Sequence, residues 1–307
     1  MVSIIIPVYN AENTISQTLD SVFNQTYESF EIIIVNDGST DQTSKILRNY
    51  THPIKILTTE NRGVSHARNL GFNHCIGKYI QYLDADDLLL PDKLKIQVEK
   101  LEAINGDVAY GDWQKFKLVN HEIEILETIS RKIEIDIEIA LFTDFWCPPA
   151  ALLYSRRICD KLSWNQELPI IQDARYLLDA AMQGGKFIYT PGLMAQYRIE
   201  QMNSLSKKSE VKFVNDCLTN AIEIAELWKD DFINSPMKKK SVIDSLRFCI
   251  NRLSVLDRSL ALKAIEFLLQ VEPQYLPREK GVLRTLSKLF GYKNAEMIAS
   301  YKRLLTE

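Results

Sequence analysis

The stretch Tyr79-Ile-Gln-Tyr-Leu-Asp-Ala-Asp-Asp-Leu-Leu-Leu-Pro91 decides how the chain is read. Tyr79, Ile80, Tyr82 and Leu83 are aromatic, β-branched or bulky, the types that suit a pleated, half-buried surface, so the stretch begins as a strand. It stops in three carboxylates, Asp84, Asp86 and Asp87. In extended backbone Asp84 and Asp86 point the same way, with only Ala85 between them. Two carboxylates converging at the carboxyl end of a strand repel one another unless something positive sits there. A hard divalent cation bound through oxygen, with a phosphate on its other face, meets that need. An acidic turn capping the next helix has the same sequence, and the rest of the chain decides between the two.

Upstream, Val2 to Val8 is an almost wholly apolar run, suited to a strand covered on both faces in a parallel sheet. Asn13 or Thr14 then caps a helix whose apolar positions Ile15, Leu19, Val22 and Phe23 recur at helical spacing. Phe30–Val35 is a second buried strand, ending at the turn-forming cluster Asn36-Asp-Gly-Ser-Thr-Asp41 before a helix around residues 43–50. Residues 54–58 form a third strand, Asn61–Gly71 opens another helix, and residues 77–83 are the fourth strand. This alternation predicts a doubly wound sheet with its ligand in the crevice beyond the strands' carboxyl ends. Tyr9, Asp37 and Asp84 all follow strand ends, so they are expected to face one crevice.

The strings VSIIIPVYNAE, IIIVNDGSTD, NRGVSHARNLG and YIQYLDADD stand in that order within residues 1–90. Together they resemble the nucleotide-sugar domain of the inverting family-two glycosyltransferases of bacterial type. The resemblance implies an α/β chain of the GT-A fold, a Rossmann-like, mostly parallel doubly wound sheet with a C-terminal helical extension. The G-x-G-x-x-G of a dinucleotide-binding Rossmann domain is missing after the first strand. By the same resemblance a uridine nucleotide lies in the crevice, with Tyr9 against the base and Asp37 accepting its imide hydrogen. Arg68 helps hold the nucleotide, and Pro7, Asn61 and Ala85 belong to the same nucleotide-sugar site. Asp84 lies against the ribose, and Asp86 ligates a Mn2+ or Mg2+ ion that bridges the diphosphate. Such an ion stabilises the charge that builds on the departing diphosphate. Asp87 is left open between this site and the cap of the turn before Pro91.

Further on, residues 94–104 have helical periodicity and Gly106–Trp113 reads as a strand with a polar end. The family's corresponding segment lines the donor-sugar and acceptor region, which makes Asp112 a nucleotide-sugar candidate and Trp113 a sugar platform; core packing is the other reading of Trp113. Residues 115–139 alternate charged and apolar residues, the pattern of a half-exposed strand. Phe145–Arg157 resembles the family's acceptor-side segment, and its Cys147 reads as a buried thiol rather than a reactive one. Gln172-Asp173 stands where the family has Glu-Asp before a helix. The resemblance therefore makes Asp173 the general base that removes the acceptor hydroxyl's proton, with Gln172 as a departure beside it; a helix cap is the alternative for Asp173. Arg198, in the Tyr-Arg pair flanking a loop that closes over the diphosphate in the family, is the phosphate candidate.

At 307 residues and 46% hydrophobic, the chain can bury one large core or two modest ones. Its net charge of -3 divides unevenly, -8 over residues 1–205 and +5 over residues 206–307. The acidic part argues against a nucleic-acid surface. Past Ser206 the apolar residues recur at helical spacing, so a GT-A domain over residues 1–205, with its nucleotide-sugar half at 1–113 and its acceptor half at 114–205, precedes a helical region over 206–307. Acceptor cover, homo-oligomer contact and peripheral attachment to an anionic membrane face are its three readings, oligomer contact first. The start of the chain has no basic leader, no segment approaches a membrane span, and five scattered cysteines lack C-x-x-C spacing. These features predict a cytoplasmic protein with reduced thiols, peripheral at most at the inner membrane face.

The sum is a metal-dependent inverting enzyme moving glucose or a related hexose from a UDP-sugar donor to a glycan or glycoprotein acceptor hydroxyl. Its rivals are a non-catalytic nucleotide-sugar-binding subunit of a glycosylation complex and a metal-dependent phospho- or nucleotidyltransferase.

Overall fold

Short apolar runs without helical spacing become the parallel part of the sheet: β1 (Val2–Val8), β2 (Phe30–Asp37), β3 (Lys55–Thr59) and β4 (Tyr79–Tyr82). The computed structural model describes residues 1–120, 122–199, 209–278 and 281–304. The four strands lie in the order β3-β2-β1-β4, all parallel, and are joined by α1 (Ile15–Phe23), α2 (Thr43–Arg48) and α3 (Val64–Asn73). Every residue of β1 and β4 is buried, as covering on both faces requires. Ile15, Leu19 and Val22 carry the buried stripe of α1.

Beyond β4 the sheet turns mixed. The two-residue strand β5 (Leu88–Leu89) and helix α4 (Lys93–Ile104) lead into β6 (Val108–Val119). After β7 (Glu122–Ile129) and α5 (Ile137–Thr143), a single turn of 3-10 helix at Pro149–Ala151 enters β8 (Leu152–Ser155). Helices α6 (Arg156–Cys159) and α7 (Gln172–Met182) precede the long β9 (Phe187–Arg198). The order continues from β4 to β8, β6, β9 and β5, with β6 and β9 parallel and β7 hung on the far part of β6. The expected α/β class with a mostly parallel sheet is the one observed.

The alternating stretch at 115–139 departs from the half-exposed strand expected there. β7 is exposed on both faces as far as Thr128, and the strand stops at Ile129 although the alternation runs on. Residues 137–143 are helical instead. Asp136 caps that helix, its carboxylate accepting from the Ile139 N–H at 3.0 Å, and Ile139, Ala140 and Leu141 are buried. A satisfied helix start and a buried face outweigh the local β pattern.

The chain divides into two compact units, Met1–Met202 and Asn203–Glu307. The second contains α8 (Glu210–Trp228), α9 (Pro236–Leu256), α10 (Arg258–Val271), α11 (Val282–Phe290) and α12 (Tyr292–Leu304). Its core joins Leu218, Ile224 and Trp228 of α8 to Leu246, Ile250 and Leu253 of α9 and Ile265 and Leu268 of α10. Ser209 and Asp257 cap α8 and α10 through their side chains. Glu296, fully buried, is held by Arg247 at 2.7 Å and Arg303 at 2.8 Å. All five cysteines are free thiols, and Cys147 is 3% exposed with burial pushing its thiol up, which agrees with the buried reading. No helix of the described residues is long and apolar enough to cross a membrane.

Candidate active site

Parallel pairing of Val8 with Asn36, Asp37 with Thr59 and Ile5 with Tyr82 brings the carboxyl ends of β1, β2, β3 and β4 to one edge. Tyr9, 51% exposed, follows β1 there, and Pro7 is buried within the strand. The loops after β1 and β2 are laced together: Asn10 Oδ1 accepts from the Thr40 N–H at 2.8 Å, and Thr43 Oγ1 accepts from the Ala11 N–H at 2.8 Å. Asp37 is 3% exposed, and its two oxygens accept from the Arg62 and Gly63 N–H groups at 3.0 and 2.8 Å. Its carboxylate thus pins the start of α3, next to the exposed Asn61. Gly38 makes that closure fit. Its φ is +75°, and a Cβ there would lie 2.8 Å from the Asn61 nitrogen.

The acidic turn after β4 is organised from two sides. Arg68, 1% exposed on α3, donates from Nη2 to Asp84 Oδ1 at 2.5 Å, and its guanidinium lies 4.1 Å from the centre of the Trp164 ring. Arg68 Nε and Nη1 are buried with no hydrogen-bond partner among the described residues. From β9, Arg198 Nε donates to the Asp86 carbonyl at 2.9 Å and Nη2 to Gln17 Oε1 at 2.8 Å, over the ring of Phe116. The Arg198 N–H in turn reaches Asp87 Oδ1 at 3.0 Å. The cap reading of Asp87 is therefore corrected. It is fully buried, and the residue at the cap position of α4 is Asp92. The loop that follows Arg198, expected to close over a diphosphate, lies outside the described residues, as does the boundary expected at 205/206.

Among the described residues, and unlike those of Asp84 and Asp87, the Asp86 carboxylate accepts from no side chain or backbone N–H of another residue. Burial first, then Asp84, push it up to about 6, against the opposing pull of Arg198 and Arg68. Burial, Asp86 and Asp84 hold Asp87 well above the usual carboxylate range. The turn is short of positive charge. Among the described residues no group of three or more His, Cys, Asp or Glu side chains forms a metal cage. A Mg2+-like ion needs none: it binds through one or two carboxylates and completes its shell with water and substrate phosphates. The hard oxygen of Asp86, under-neutralised beside Ala85 at a strand end, fits such an ion.

Asp173 sits in the first turn of α7, half-buried. Trp146 Nε1 donates to its Oδ2 at 2.8 Å, and the Ala174 N–H donates to its Oδ1 at 2.9 Å. Burial raises its pKa and Asp84 adds to the rise, while the Trp146 bond and Arg68 oppose it. Arg68 and Asp84 thus join Asp173 electrically to the acidic turn. Tyr197 on β9 completes the link: its hydroxyl is pushed up by burial and by Asp87, Asp84, Asp86 and Asp173 together. The three carboxylates of the acidic turn and Asp173, 86 residues further on, thus act on one hydroxyl.

Sequence reasoning missed Trp146 and Tyr197 as site residues. With Trp113 they form an aromatic corner of edge-to-face rings, Trp113–Trp146 at 5.3 Å, Trp146–Tyr197 at 5.4 Å and Trp113–Tyr197 at 5.8 Å. Trp113 is 5% exposed, whereas Trp146 and Tyr197 are half-buried. Asp112 is occupied elsewhere: its oxygens accept from the Tyr189 hydroxyl at 2.5 Å and the Gly192 N–H at 3.0 Å, fastening a turn of β9. Gln172 is 7% exposed with its Oε1 unpartnered among the described residues, so no charge is buried beside Asp173.

Comparison with known proteins gives the family and agrees with the fold. The model of glycosyl transferase family 2 matches residues 3–162. The glycosyltransferase GlyA of Streptococcus pneumoniae is 38% identical over 118 residues, 38% of this chain and 17% of that protein. The UDP-Glc:alpha-D-GlcNAc-diphosphoundecaprenol beta-1,3-glucosyltransferase WfgD of Escherichia coli is 39% identical over 116 residues, 37% of this chain and 46% of that protein. The chain thus spans less than half the length of either relative. The crystal structure of S. aureus TarS 1-349 in complex with UDP-GlcNAc shares the fold, with a TM-score of 0.69 and 18% identity over 99% of this chain and 90% of that one.

Proposed function

Because the chain belongs to glycosyl transferase family 2, we propose that it transfers a hexose, glucose or a relative, with inversion from a UDP-sugar to a glycan or glycoprotein hydroxyl. The observation that carries this reading is the Asp173 carboxylate, fixed by the Trp146 N–H and within electrostatic reach of the Arg68–Asp84 pair. Asp173 accepts the proton of the acceptor hydroxyl as that oxygen attacks the anomeric carbon, and the nucleoside diphosphate leaves with the bonding pair. Asp86 would hold a Mg2+ or Mn2+ ion, which would supply positive charge for the leaving diphosphate. Asp84, fixed by Arg68, borders the ribose; Tyr9, Asp37 and Asn61 border the base. Trp146 and Tyr197 offer ring faces to a sugar. The UDP-glucose donor printed in the name of WfgD supports the choice of nucleotide and hexose.

A donor screen that reads nucleotide release, run with and without EDTA, tests the reading. UDP release from one UDP-hexose, lost on chelation and restored by Mn2+ or Mg2+, is expected. Release of pyrophosphate or inorganic phosphate in its place would point to a phosphotransferase.

Oligomer contact through the helical unit belongs to the same proposal. Val282, Leu289 and Phe290 of α11 are 75%, 69% and 56% exposed, an apolar face that a second copy would cover. Light scattering is expected to give a multiple of the 35.4 kDa chain mass, reduced in a Val282→Glu, Leu289→Glu variant. A monomeric parent chain would remove the idea.

A further inference from the structure

The Trp146 indole N–H is 2.8 Å from Asp173 Oδ2, and the ring that carries it is one wall of the aromatic corner formed with Trp113 and Tyr197. The other oxygen, Oδ1, accepts from the N–H of Ala174. Each oxygen therefore has one donor fixed by the protein and one lone pair left over. We propose that Trp146 is a positioning residue for transfer: its N–H fixes the plane and charge of the Asp173 carboxylate while its ring borders the sugar that brings the hydroxyl. This rests on Asp173 being the base.

The geometry explains the arrangement. A carboxylate at a helix start can rotate about its last torsion, and a base must present a lone pair to the incoming hydroxyl within hydrogen-bond reach. The Ala174 N–H comes from the adjacent residue and moves with the helix. Trp146 comes from the loop after α5, 27 residues earlier, and so sets the carboxylate relative to the rest of the cleft. Its ring position is set in turn by Trp113, buried on β6, and by Tyr197 on β9. A sugar against Trp146 and the base beside it are thereby referred to one rigid group, the arrangement that near-attack alignment requires.

The electrostatic consequence has a definite sign. Burial and Asp84 favour the neutral acid; the Trp146 bond and Arg68 favour the carboxylate. The other titratable groups that feel Asp173 are Tyr197 on β9, Tyr154 on β8 and the thiol of Cys147, all pushed up by burial and hence neutral through the working range. Removing the indole N–H takes away a stabiliser of the charged form, so the base loses its proton only at higher pH.

Trp146→Phe keeps a ring and deletes the N–H. The acidic limb of the kcat profile is expected to move up by about one pH unit, with kcat at neutral pH falling about tenfold, as loss of one charge-assisted bond allows. Donor affinity, read by titration with UDP, is expected to stay at the parent value, and this separates the effect from misfolding. Asp173→Asn is measured alongside. If it is inactive while Trp146→Phe keeps the parent acidic limb, the base reading stands and the positioning role is overturned. If Asp173→Asn turns over normally, both are overturned. A Trp146→Phe protein that no longer binds UDP also overturns the role, since the residue would then be holding the cleft as a whole.

Discussion

Asp173→Asn is expected to lower kcat by about 10²- to 10⁴-fold, the range a positioned general base contributes, while leaving UDP-sugar binding intact. The substitution is nearly isosteric. The amide oxygen of the Asn can still accept from one of the two donors that fix the parent side chain, the Trp146 or the Ala174 N–H, while its NH2 group cannot accept from the other. The capacity to take a proton disappears as well, so the main loss falls on the step in which the acceptor oxygen attacks. In the parent enzyme the base works only as the carboxylate. Its pKa is raised, chiefly by burial, so the rate is expected to climb with pH through a value above the ordinary Asp range and then level off. The Asn variant should show no such limb. Single-turnover and steady-state rates across pH 4 to 8, with UDP titration as the control, check both points; a variant that turns over at the parent rate removes Asp173 from the chemistry.

The parallel half of the fold was legible because each of its strands is written locally. Val2–Val8 and Phe30–Val35 are apolar runs followed by turn residues, and both became fully or largely covered strands. The alternation at 134–139 was equally local and misled, because a cap at Asp136 and a buried face are decided by the neighbours. The candidate site divides in the same way. The acidic turn could be read because its carboxylates are adjacent. Asp173 was reached only through resemblance, since a helix-start Asp has no signature of its own. The contacts that tie the site together were invisible because the partners are remote: Arg198, named only as a phosphate candidate, meets Asp87 across 111 residues. Lys93 and Gln97 belong here too. Both are fully buried, donating to the carbonyls of Leu152 and Ala151 at 2.7 and 2.9 Å. Those carbonyls at the entry to β8 need donors, a demand that appears only once the chain is folded.

The largest effect expected from the acidic turn itself is a split between activity and stability at Asp86. In Asp86→Asn, metal-dependent transfer should be lost, because the carboxylate proposed to bind the ion has become an amide, a much weaker ligand. The metal-free protein, however, should become more stable. A carboxyl whose folded pKa lies above its unfolded value binds its proton more tightly in the folded state. Stability therefore falls as pH rises from the unfolded pKa, near 4, through the folded one, about 6 here, and the cost is complete above that. Discounting for its partial exposure, relief of this cost is expected to add about 1–2 kcal/mol at pH 7.5 and almost nothing at pH 4. Part of the gain should spread to Asp87 and Asp84, which lose a like charge. In the parent chain Mn2+ or Mg2+ should supply the missing charge and raise Tm; in the variant it should not. Thermal unfolding of both proteins at the two pH values, with and without the ion, reads all of this. A variant that is less stable than the parent at pH 7.5, or that still gains Tm from the ion, would mean that the turn is not built around a cation held by Asp86.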